Sequence, residues 1–425
     1  MLTAYSRYGA RVIPNTEQII AACRARGEFI QGPAIARFEA AFAARCGGGT
    51  AISASYGRMA FFYLLQALGL PAGSEIIFPA LTFWVVPEIA RVAGFTPVFA
   101  DVDPDTFCID PDALERAITP RTSAVVPTHL YGLACDMDRV MAIAGRHNLR
   151  VIEDCAHALG ATYKGRHVGT FGDAGFFSFQ TLKPLNTYGG GMALTTDDRL
   201  AASVRAAAEA EPWPSEDETK KKLLLGKAQR IFIRPKVFTC SLFPILWTAS
   251  WFKARPDVYL WESIRPLDPM PSSYRRRYTN VQAEIGLAGL EHHLATWTAN
   301  SRGHARVLDA ALEPLPGIRI PARPIDREHV YYQYCFYAPD RDEFVRRAIR
   351  RGVDVETLHV DVCTDLDLFG APGRAPGATR AAEALQLPVY ASLDEDEVRA
   401  VTARIRRVVT SGTHHTRTST AATGL

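Results

Sequence analysis

The chain has 425 residues, a length that suggests roughly two to three domains or one large domain with a smaller partner. With 48% hydrophobic and 22% charged residues, it has the composition of a globular protein, which excludes a fibrous repeat and disorder of the whole chain. The net charge of +3 gives no reason to expect a nucleic-acid partner.

The first elements read from the N-terminus are helical. Residues 1–26 form an N-terminal segment that ends in a helical pattern, and residues 27–33 are a turn punctuated by glycine and proline. A second helix follows, in which Ile35, Phe38 and Phe42 are spaced for one buried face.

From the glycines at 47–49 to about residue 200, short apolar runs alternate with helical patterns. The runs predict strands at 75–81, 96–102, 123–130, 150–156, 175–180 and 191–196. The predicted helices between them are 57–68, 84–93, 111–118 and 136–147. This alternation predicts an α/β fold with a mainly parallel sheet, in which ligands bind at the carboxyl ends of the strands.

Residues 201–275 interrupt the alternation. Within them, residues 237–252 contain no charge, are flanked by basic residues and are interrupted by Pro244. The run is too short for a comfortable transmembrane helix. The pattern favours a helical hairpin packed on the body, and the alternative is an element that contacts a membrane surface or an apolar substrate.

The C-terminal part is predicted to hold a long helix and a small α/β domain. The helix covers 281–313, and the small domain has strands at 331–338 and 353–360 and helices at 341–351 and 394–409. We expect the tail, 411–425, to be disordered.

The eight cysteines are scattered without CxxC spacing. This argues against a zinc ribbon or a disulfide framework, and we expect no metal site. Reduced thiols and the lack of an apolar signal segment at the N-terminus suggest a cytoplasmic protein.

Lys183 follows an apolar strand and precedes a glycine cluster in SFQTLKPLNTYGGG. The segment does not fit a P-loop, because Pro184 stands where serine or threonine is needed. A lysine at the mouth of an α/β sheet can form a Schiff base with an aldehyde cofactor. The alternative is a surface lysine in a loop.

Glu153 and Asp154 end a predicted strand, so one side chain faces each side of the sheet. A buried carboxylate needs a cation, and a protonated pyridine nitrogen would be one. Alternatively, Asp154 caps a helix. His157 could donate a hydrogen bond to a ring oxygen or be structural. Phe83 could stack on a flat ring.

Residues 55–58 open a helix directly after a strand-like segment, which suits a phosphate group. Together the motifs resemble the DegT/DnrJ/EryC1/StrS family of sugar aminotransferases, fold type I enzymes that use pyridoxal 5′-phosphate. The resemblance runs from residue 27 to residue 393 and rests on PALTF, PVFADVDPDTFCIDP, ITPRTSAVVPTHLYGLACDMD and VIEDCAHALGATYKGRHVGTFGDAGFFSF.

The resemblance implies a role for each candidate residue. Lys183 would bind the cofactor as a Schiff base and act in catalysis together with Asp154, which would pair with the ring nitrogen. His157 would lie near the phenolic oxygen, and Phe83 would stack on the ring. The positions that would bind the phosphate are Gly57, Arg58 and Ser178.

The chain departs from the family pattern at several positions. Arg58 replaces the usual threonine, and Gly189 replaces an acidic residue. Arg275 replaces the asparagine of a motif that reaches the neighbouring subunit's site, where a guanidinium could still bind phosphate. An insertion at about 212–272 accounts for the long spacing between Lys183 and this motif.

The resemblance implies a large α/β/α cofactor domain at 27–280, a connecting helix and a smaller α/β domain at 281–410, and at least a homodimer. The implied reaction moves an amino group from L-glutamate to a keto-sugar, expected to be nucleotide-linked, in sugar or secondary-metabolite biosynthesis. The alternatives are a lipid-linked or other apolar ketone as acceptor, and a non-catalytic regulatory relative. Peripheral membrane contact through 237–252 stays open.

Overall fold

The computed structural model describes residues 3–9, 13–252, 263–357, 360–370 and 373–410, and the tail expected to be disordered lies outside them. The helices are α1 (Thr16–Ala25), α2 (Ala34–Arg45), α3 (Gly57–Ala67), α4 (Val85–Val92), α5 (Pro111–Ala117), α6 (Met137–His147), α7 (Asp198–Glu209), α8 (Glu216–Phe232), α9 (Pro235–Cys240), α10 (Phe243–Ala249), α11 (Asn280–His292), α12 (Leu294–Leu312), α13 (Arg341–Arg350), α14 (Pro376–Ala381) and α15 (Glu395–Thr410). The strands are β1 (Thr50–Ala54), β2 (Glu75–Pro79), β3 (Leu81–Thr82), β4 (Thr96–Ala100), β5 (Thr122–Val125), β6 (Arg150–Asp154), β7 (Thr162–Tyr163), β8 (Arg166–His167), β9 (Ala174–Ser178), β10 (Gly191–Thr195), β11 (Arg327–Glu328), β12 (Tyr334–Phe336), β13 (Asp361–Val362) and β14 (Leu385–Leu387).

A seven-stranded sheet in the order β1-β10-β9-β6-β5-β2-β4 forms the centre of the fold. The strands from β9 to β4 pair in parallel, whereas β10 is antiparallel to both of its neighbours. The predicted α/β fold with a mainly parallel sheet is therefore confirmed. Because β10 reverses the direction twice, the carboxyl ends of β1, β9, β6, β5 and β2 lie at one edge.

Helices cover both faces of this sheet. Neighbouring side chains of each strand point to opposite faces, so both faces carry apolar side chains that pack against helices. Ile77 and Val151 pack in one apolar cluster with residues of α2, α5 and α6. Ile76 and Ile152 pack in a second cluster with residues of α3, α4 and α7. The predicted helices at 57–68, 84–93, 111–118 and 136–147 correspond to α3 through α6.

The C-terminal part differs from the prediction in two places. The helix expected at 281–313 is interrupted at His293, where the backbone φ of −126° is not helical. The prediction of a strand at 353–360 is wrong. In the described part of this range, Val353 forms an isolated bridge to Tyr5 and Glu356 forms one to Gln386. Alternating apolar residues at 353 and 355 look like a strand but are buried without a continuous partner strand.

The segment at 237–252 forms the short helices α9 and α10. Phe238, Phe243 and Leu246 are buried in an apolar cluster with residues of α12, α13 and α15. Trp251 and Phe252 are exposed. In the described part of the chain, none of the helices combines the length and the apolar character needed to cross a membrane.

Candidate active site

The carboxyl edge of the central sheet opens into a cleft with about 620 Å³ of empty space, counted to its open mouth. Short loops and helix starts after the strands supply its walls, as expected for an open α/β sheet. Seven of the eight residues predicted to hold the cofactor line it: Gly57, Arg58, Phe83, Asp154, His157, Ser178 and Lys183.

Asp154 ends β6 and lies buried in the wall of the cleft. Its Oδ1 accepts the backbone N–H of Ala156 at 3.0 Å. Burial raises the pKa of Asp154 to about 6, against the lowering effect of that N–H and of the charge on Lys183. No helix begins within 155–161, so Asp154 is not a helix cap. It presents a carboxylate that is mostly ionised at neutral pH to whatever occupies the cleft.

Glu153 points to the other side of the sheet and is fully buried. Its oxygens accept a bond from His129 Nε2 at 3.0 Å and the backbone N–H groups of Gly169, Phe171 and Gly172 at 2.6 to 2.9 Å. The three backbone N–H groups hold the loop after β8 against β6. Glu153 therefore has a structural environment, which leaves Asp154 as the carboxylate of the cleft.

The donor atoms of His129, Glu153 and Cys155 lie within 4.8 Å of one another, and they form the one such group among the described residues. His129 already uses both ring nitrogens, because Nδ1 accepts the N–H of Cys135 and Nε2 bonds Glu153. Burial, with the nearby carboxylates, raises the pKa of the Cys155 thiol well above its usual range. A metal ion would have to break this network, so the group acts in structure.

Lys183 reaches into the cleft from the loop after β9, with Nζ 5.0 Å from the centroid of the Tyr332 ring. Burial lowers the pKa of Lys183 to about 8, and the charge of Arg58 adds to this effect while Asp154 opposes it. Near neutral pH a substantial fraction of the amine is therefore uncharged, which is the form that acts as a nucleophile or a base. Lys183 lines the cleft instead of standing on the outer surface.

The ring of His157 stacks on Tyr332, with ring centroids 4.2 Å apart and planes inclined by 24°. Tyr332 thus contacts both His157 and Lys183, and it links the C-terminal half of the chain to the cleft. The sequence places Tyr332 in an aromatic-rich run but gives no signal that separates it from its neighbours.

One end of the cleft suits an anion. Helix α3 begins at Gly57 without a side-chain cap, so its first N–H groups face the cleft as in a phosphate site. A Cβ at Gly57 would lie 2.9 Å from the carbonyl oxygen of Phe177 and 3.0 Å from Cβ of Ser178, so only glycine lets α3 approach β9 this closely. The guanidinium of Arg58 donates to the Tyr274 hydroxyl at 2.7 Å.

Lys222 of α8 lies beside the same end and is not among the residues predicted from the sequence. Its Nζ donates to the carbonyl of Ser55 at 3.3 Å and lies 4.3 Å from the centroid of the Tyr56 ring. Burial lowers the pKa of Lys222 to about 8. A Cβ at Gly189 would lie 2.3 Å from Cε of Lys222. The glycine that departs from the family pattern therefore makes room for this lysine.

Arg275, the eighth predicted residue, does not line the cleft of its own chain. Its Nε donates to the buried carboxylate of Glu211 at 3.0 Å, and about 59% of its side chain is exposed. The neighbouring Tyr274 contacts Arg58, so the segment lies close to the anion end. Contact of Arg275 with a neighbouring subunit's cofactor stays a prediction.

Known proteins share the sequence pattern and the fold that build this cleft. The sequence model of the DegT/DnrJ/EryC1/StrS aminotransferase family matches residues 13–231 and 254–406. It leaves out residues 232–253, which lie inside the expected insertion.

Two curated relatives and one solved structure illustrate the similarity. The chain is 33% identical to a pleiotropic regulatory protein of Geobacillus stearothermophilus, over 89% of this chain and 90% of that protein. It is also 33% identical to GDP-perosamine synthase of Caulobacter vibrioides, over 89% and 91%. The crystal structure of the aminotransferase TlmJ from Streptoalloteichus hindustanus superposes with a TM-score of 0.78 at 25% identity, over 96% of this chain and 99% of that one.

Proposed function

The chain belongs to the DegT/DnrJ/EryC1/StrS aminotransferase family, and we propose that it moves an amino group from L-glutamate to a nucleotide-linked keto-sugar with pyridoxal 5′-phosphate as its cofactor. Membership in the family confirms the resemblance that the motifs indicated, and the solved structure with the same fold confirms the fold type I architecture. The chain is an aminotransferase of the pyridoxal-phosphate-dependent class. The cofactor, the donor and the acceptor are the proposal.

The observation that carries the proposal is the meeting of Lys183, Asp154 and the uncapped start of α3 in one cleft. This set of groups fits pyridoxal phosphate. Asp154 would pair with the ring nitrogen, Lys183 would bind through its amine, and Phe83 and His157 would enclose the ring. Gly57, Arg58 and Ser178 would hold the phosphate, with the charge of Lys222 close by. When bound, this group supplies an electron sink for the carbon next to the amino nitrogen.

The side chains of the cleft then have distinct tasks. The uncharged amine of Lys183 takes the proton from the α-carbon of the donor, and in the second half-reaction gives a proton to the carbon that receives the amino group. Asp154 keeps a positive charge on its partner throughout, because a buried carboxylate favours a cation beside it. Tyr332 limits the positions that Lys183 and His157 can take.

A nucleotide-linked acceptor is supported by the curated relative that makes GDP-perosamine, which covers almost the same length. A regulatory relative matches equally well, but the family model that covers most of the chain is that of an aminotransferase family. Catalysis is also supported by the position of Lys183, because its amine reaches into the same cleft as Asp154 and burial lowers its pKa to about 8.

The test follows the two half-reactions separately. Protein loaded with pyridoxal phosphate should convert L-glutamate to 2-oxoglutarate, measured by loss of the cofactor's visible absorbance. The resulting amino form should then be consumed by nucleotide-linked keto-sugars and not by the same sugars without a nucleotide. Lys183→Ala is the matched control. Failure of the first half-reaction would contradict the catalytic role, and failure of the second with every nucleotide-linked sugar would contradict the acceptor.

We also propose that the active unit is a homodimer in which Arg275 binds the phosphate in the neighbouring subunit. An inactive Lys183→Ala subunit mixed with an inactive Arg275→Ala subunit should regain activity, because one site of each hybrid is complete. Verified hybrids without activity would argue against the role in the neighbouring subunit. The proposed division into a cofactor part at 27–280 and a smaller part at 281–410 and the expected cytoplasmic location stay predictions.

A further inference from the structure

We propose that residues 219–252 present a basic apolar face that binds the surface of a bilayer containing anionic lipids. The basic apolar face consists of the exposed side of α8 from Thr219 onward, of α9, of α10 and of the residues up to Phe252. The proposal concerns where the enzyme binds and does not depend on the acceptor or on the proposed reaction.

The exposed apolar side chains of the protein are concentrated on this face. Eight of the eleven large hydrophobic residues that are exposed in the described part of the chain lie between 224 and 252. Exposed apolar side chains that are concentrated in one segment point to an interaction with a partner.

The exposed residues follow the helical period. On α8, Leu224 and Ile231 are seven residues apart, as are Leu225 and Phe232, so all four share one side of the helix. The opposite side of α8 packs inward through Thr219, Leu223 and Gly226. Helix α8 therefore exposes an apolar stripe on its outer side.

The following helices repeat this arrangement. Phe238, Phe243 and Leu246 anchor α9 and α10 in the C-terminal apolar cluster. On the other side, Ile245 and Phe252 are 65% and 69% exposed. The family's sequence model leaves out residues 232–253, so the shared aminotransferase chemistry does not require this part. It is held firmly by its inner side, yet its outer side is covered by none of the described residues.

The charges of the face select its partner. Residues 219–252 contain seven lysine and arginine residues and neither aspartate nor glutamate, although three exposed acidic residues stand just before them in the first turn of α8. Of the seven, Lys222 and Arg230 point inward, and Lys220 and Lys227 pair with acidic residues. Lys221, Arg234 and Lys236 are exposed, and none of them forms an ion pair within the described residues. Basic residues around an apolar surface with tryptophans, here Trp247 and Trp251, suit an anionic lipid headgroup layer.

A second copy of the chain fits this face less well. A two-fold contact centred on α9 and α10 would bring the exposed Arg234 and Lys236 of two copies together, and residues 219–252 offer no acidic residue to pair with them. An anionic bilayer instead accepts both the apolar side chains and the positive charge.

The test uses the full chain loaded with its cofactor. Co-sedimentation is measured with vesicles of phosphatidylcholine alone and of phosphatidylcholine with phosphatidylglycerol, at low and high salt. We expect binding to the anionic vesicles that weakens with salt. Ile245→Ser/Phe252→Ser should lower the partition coefficient about tenfold or more, because two apolar side chains no longer enter the lipid. Arg234→Gln/Lys236→Gln should weaken binding mainly at low salt.

Ile325→Ser is the matched control, because Ile325 is a fully exposed apolar residue outside the face and its loss should leave vesicle binding unchanged. All variants change exposed side chains, and thermal unfolding checks that they fold. Absence of binding by the parent protein, or equal binding by the Ile245→Ser/Phe252→Ser variant, would overturn the proposal. If the parent does not bind vesicles and the same variant shifts the oligomeric state in sedimentation velocity, the face is a contact between copies and the proposal is wrong.

Discussion

In the cofactor-free protein, Lys183 and Lys222 should titrate near pH 8, whereas Lys164 should titrate above its ordinary range. Burial lowers the pKa of each of the first two amines to about 8. Lys164 is exposed, and its hydrogen bond to Asp138 raises its pKa. The three residues therefore provide two test positions and an internal reference within one chain.

The difference has a large effect at neutral pH. At about pH 7.5, an amine with a pKa of about 8 is about one quarter uncharged, whereas an ordinary lysine with a pKa of about 10.4 is about 0.1% uncharged. Only the uncharged amine reacts as a nucleophile, so the lowered pKa raises the reactive fraction of Lys183 about two hundredfold.

Competitive labelling with trace acetic anhydride, followed by mass spectrometry of peptides, measures each lysine separately between about pH 6.5 and pH 11. Two variants test the causes, since Asp154 raises the pKa of Lys183 and Arg58 lowers it. Asp154→Asn should therefore shift the Lys183 curve to lower pH, and Arg58→Met should shift it to higher pH. Pyridoxal phosphate should protect Lys183 and leave Lys164 reactive. A Lys183 curve that coincides with that of Lys164, or shifts in the opposite directions, would refute the reasoning.

Four further substitutions separate chemistry from structure. Lys183→Ala should lower transamination by about a thousandfold or more without changing thermal unfolding, because the base is lost; turnover within about tenfold of the parent would contradict its role. Asp154→Asn should slow the glutamate half-reaction by about a hundredfold while the cofactor stays bound, whereas Glu153→Gln should lower the free energy of unfolding by about 1–3 kcal/mol; the opposite pattern would exchange the two assignments. Lys222→Met should weaken cofactor binding about threefold to tenfold in a spectrophotometric titration, as expected for one partly buried charge; unchanged binding would limit Lys222 to a structural role.

Much of the fold could be predicted because local patterns and tertiary packing agree. The six predicted strands are short apolar runs between amphipathic helices, and a strand covered by helices on both faces must be apolar on both sides. The C-terminal part was harder. Val353 and Val355 alternate with polar residues as in a strand, but their burial comes from helices and isolated bridges. Periodicity reports burial and does not report the hydrogen-bond partner.

The candidate site shows the same limit. Residues such as Lys183 and Asp154 stand at strand ends, and the topology alone brings strand ends together. Lys222 and Tyr332 come from distant segments and contact residues that line the cleft, and no short-range pattern marks them. Lys222 is one of three consecutive lysines, and only the helical period decides that it, and not exposed Lys221, points inward.

The two adjacent carboxylates of β6 show how one strand can supply both structure and chemistry. Because side chains alternate along a strand, Glu153 and Asp154 enter different surroundings although they are neighbours. Glu153 meets four donors, which satisfy its charge, and three of them belong to the loop after β8 and fix it in place. Asp154 meets a single backbone N–H, and burial therefore raises its pKa to about 6. A buried carboxylate with so few partners costs stability unless a cation joins it. The destabilised residue is thus the one that can bind a cation strongly, and this is the property that the proposed cofactor requires.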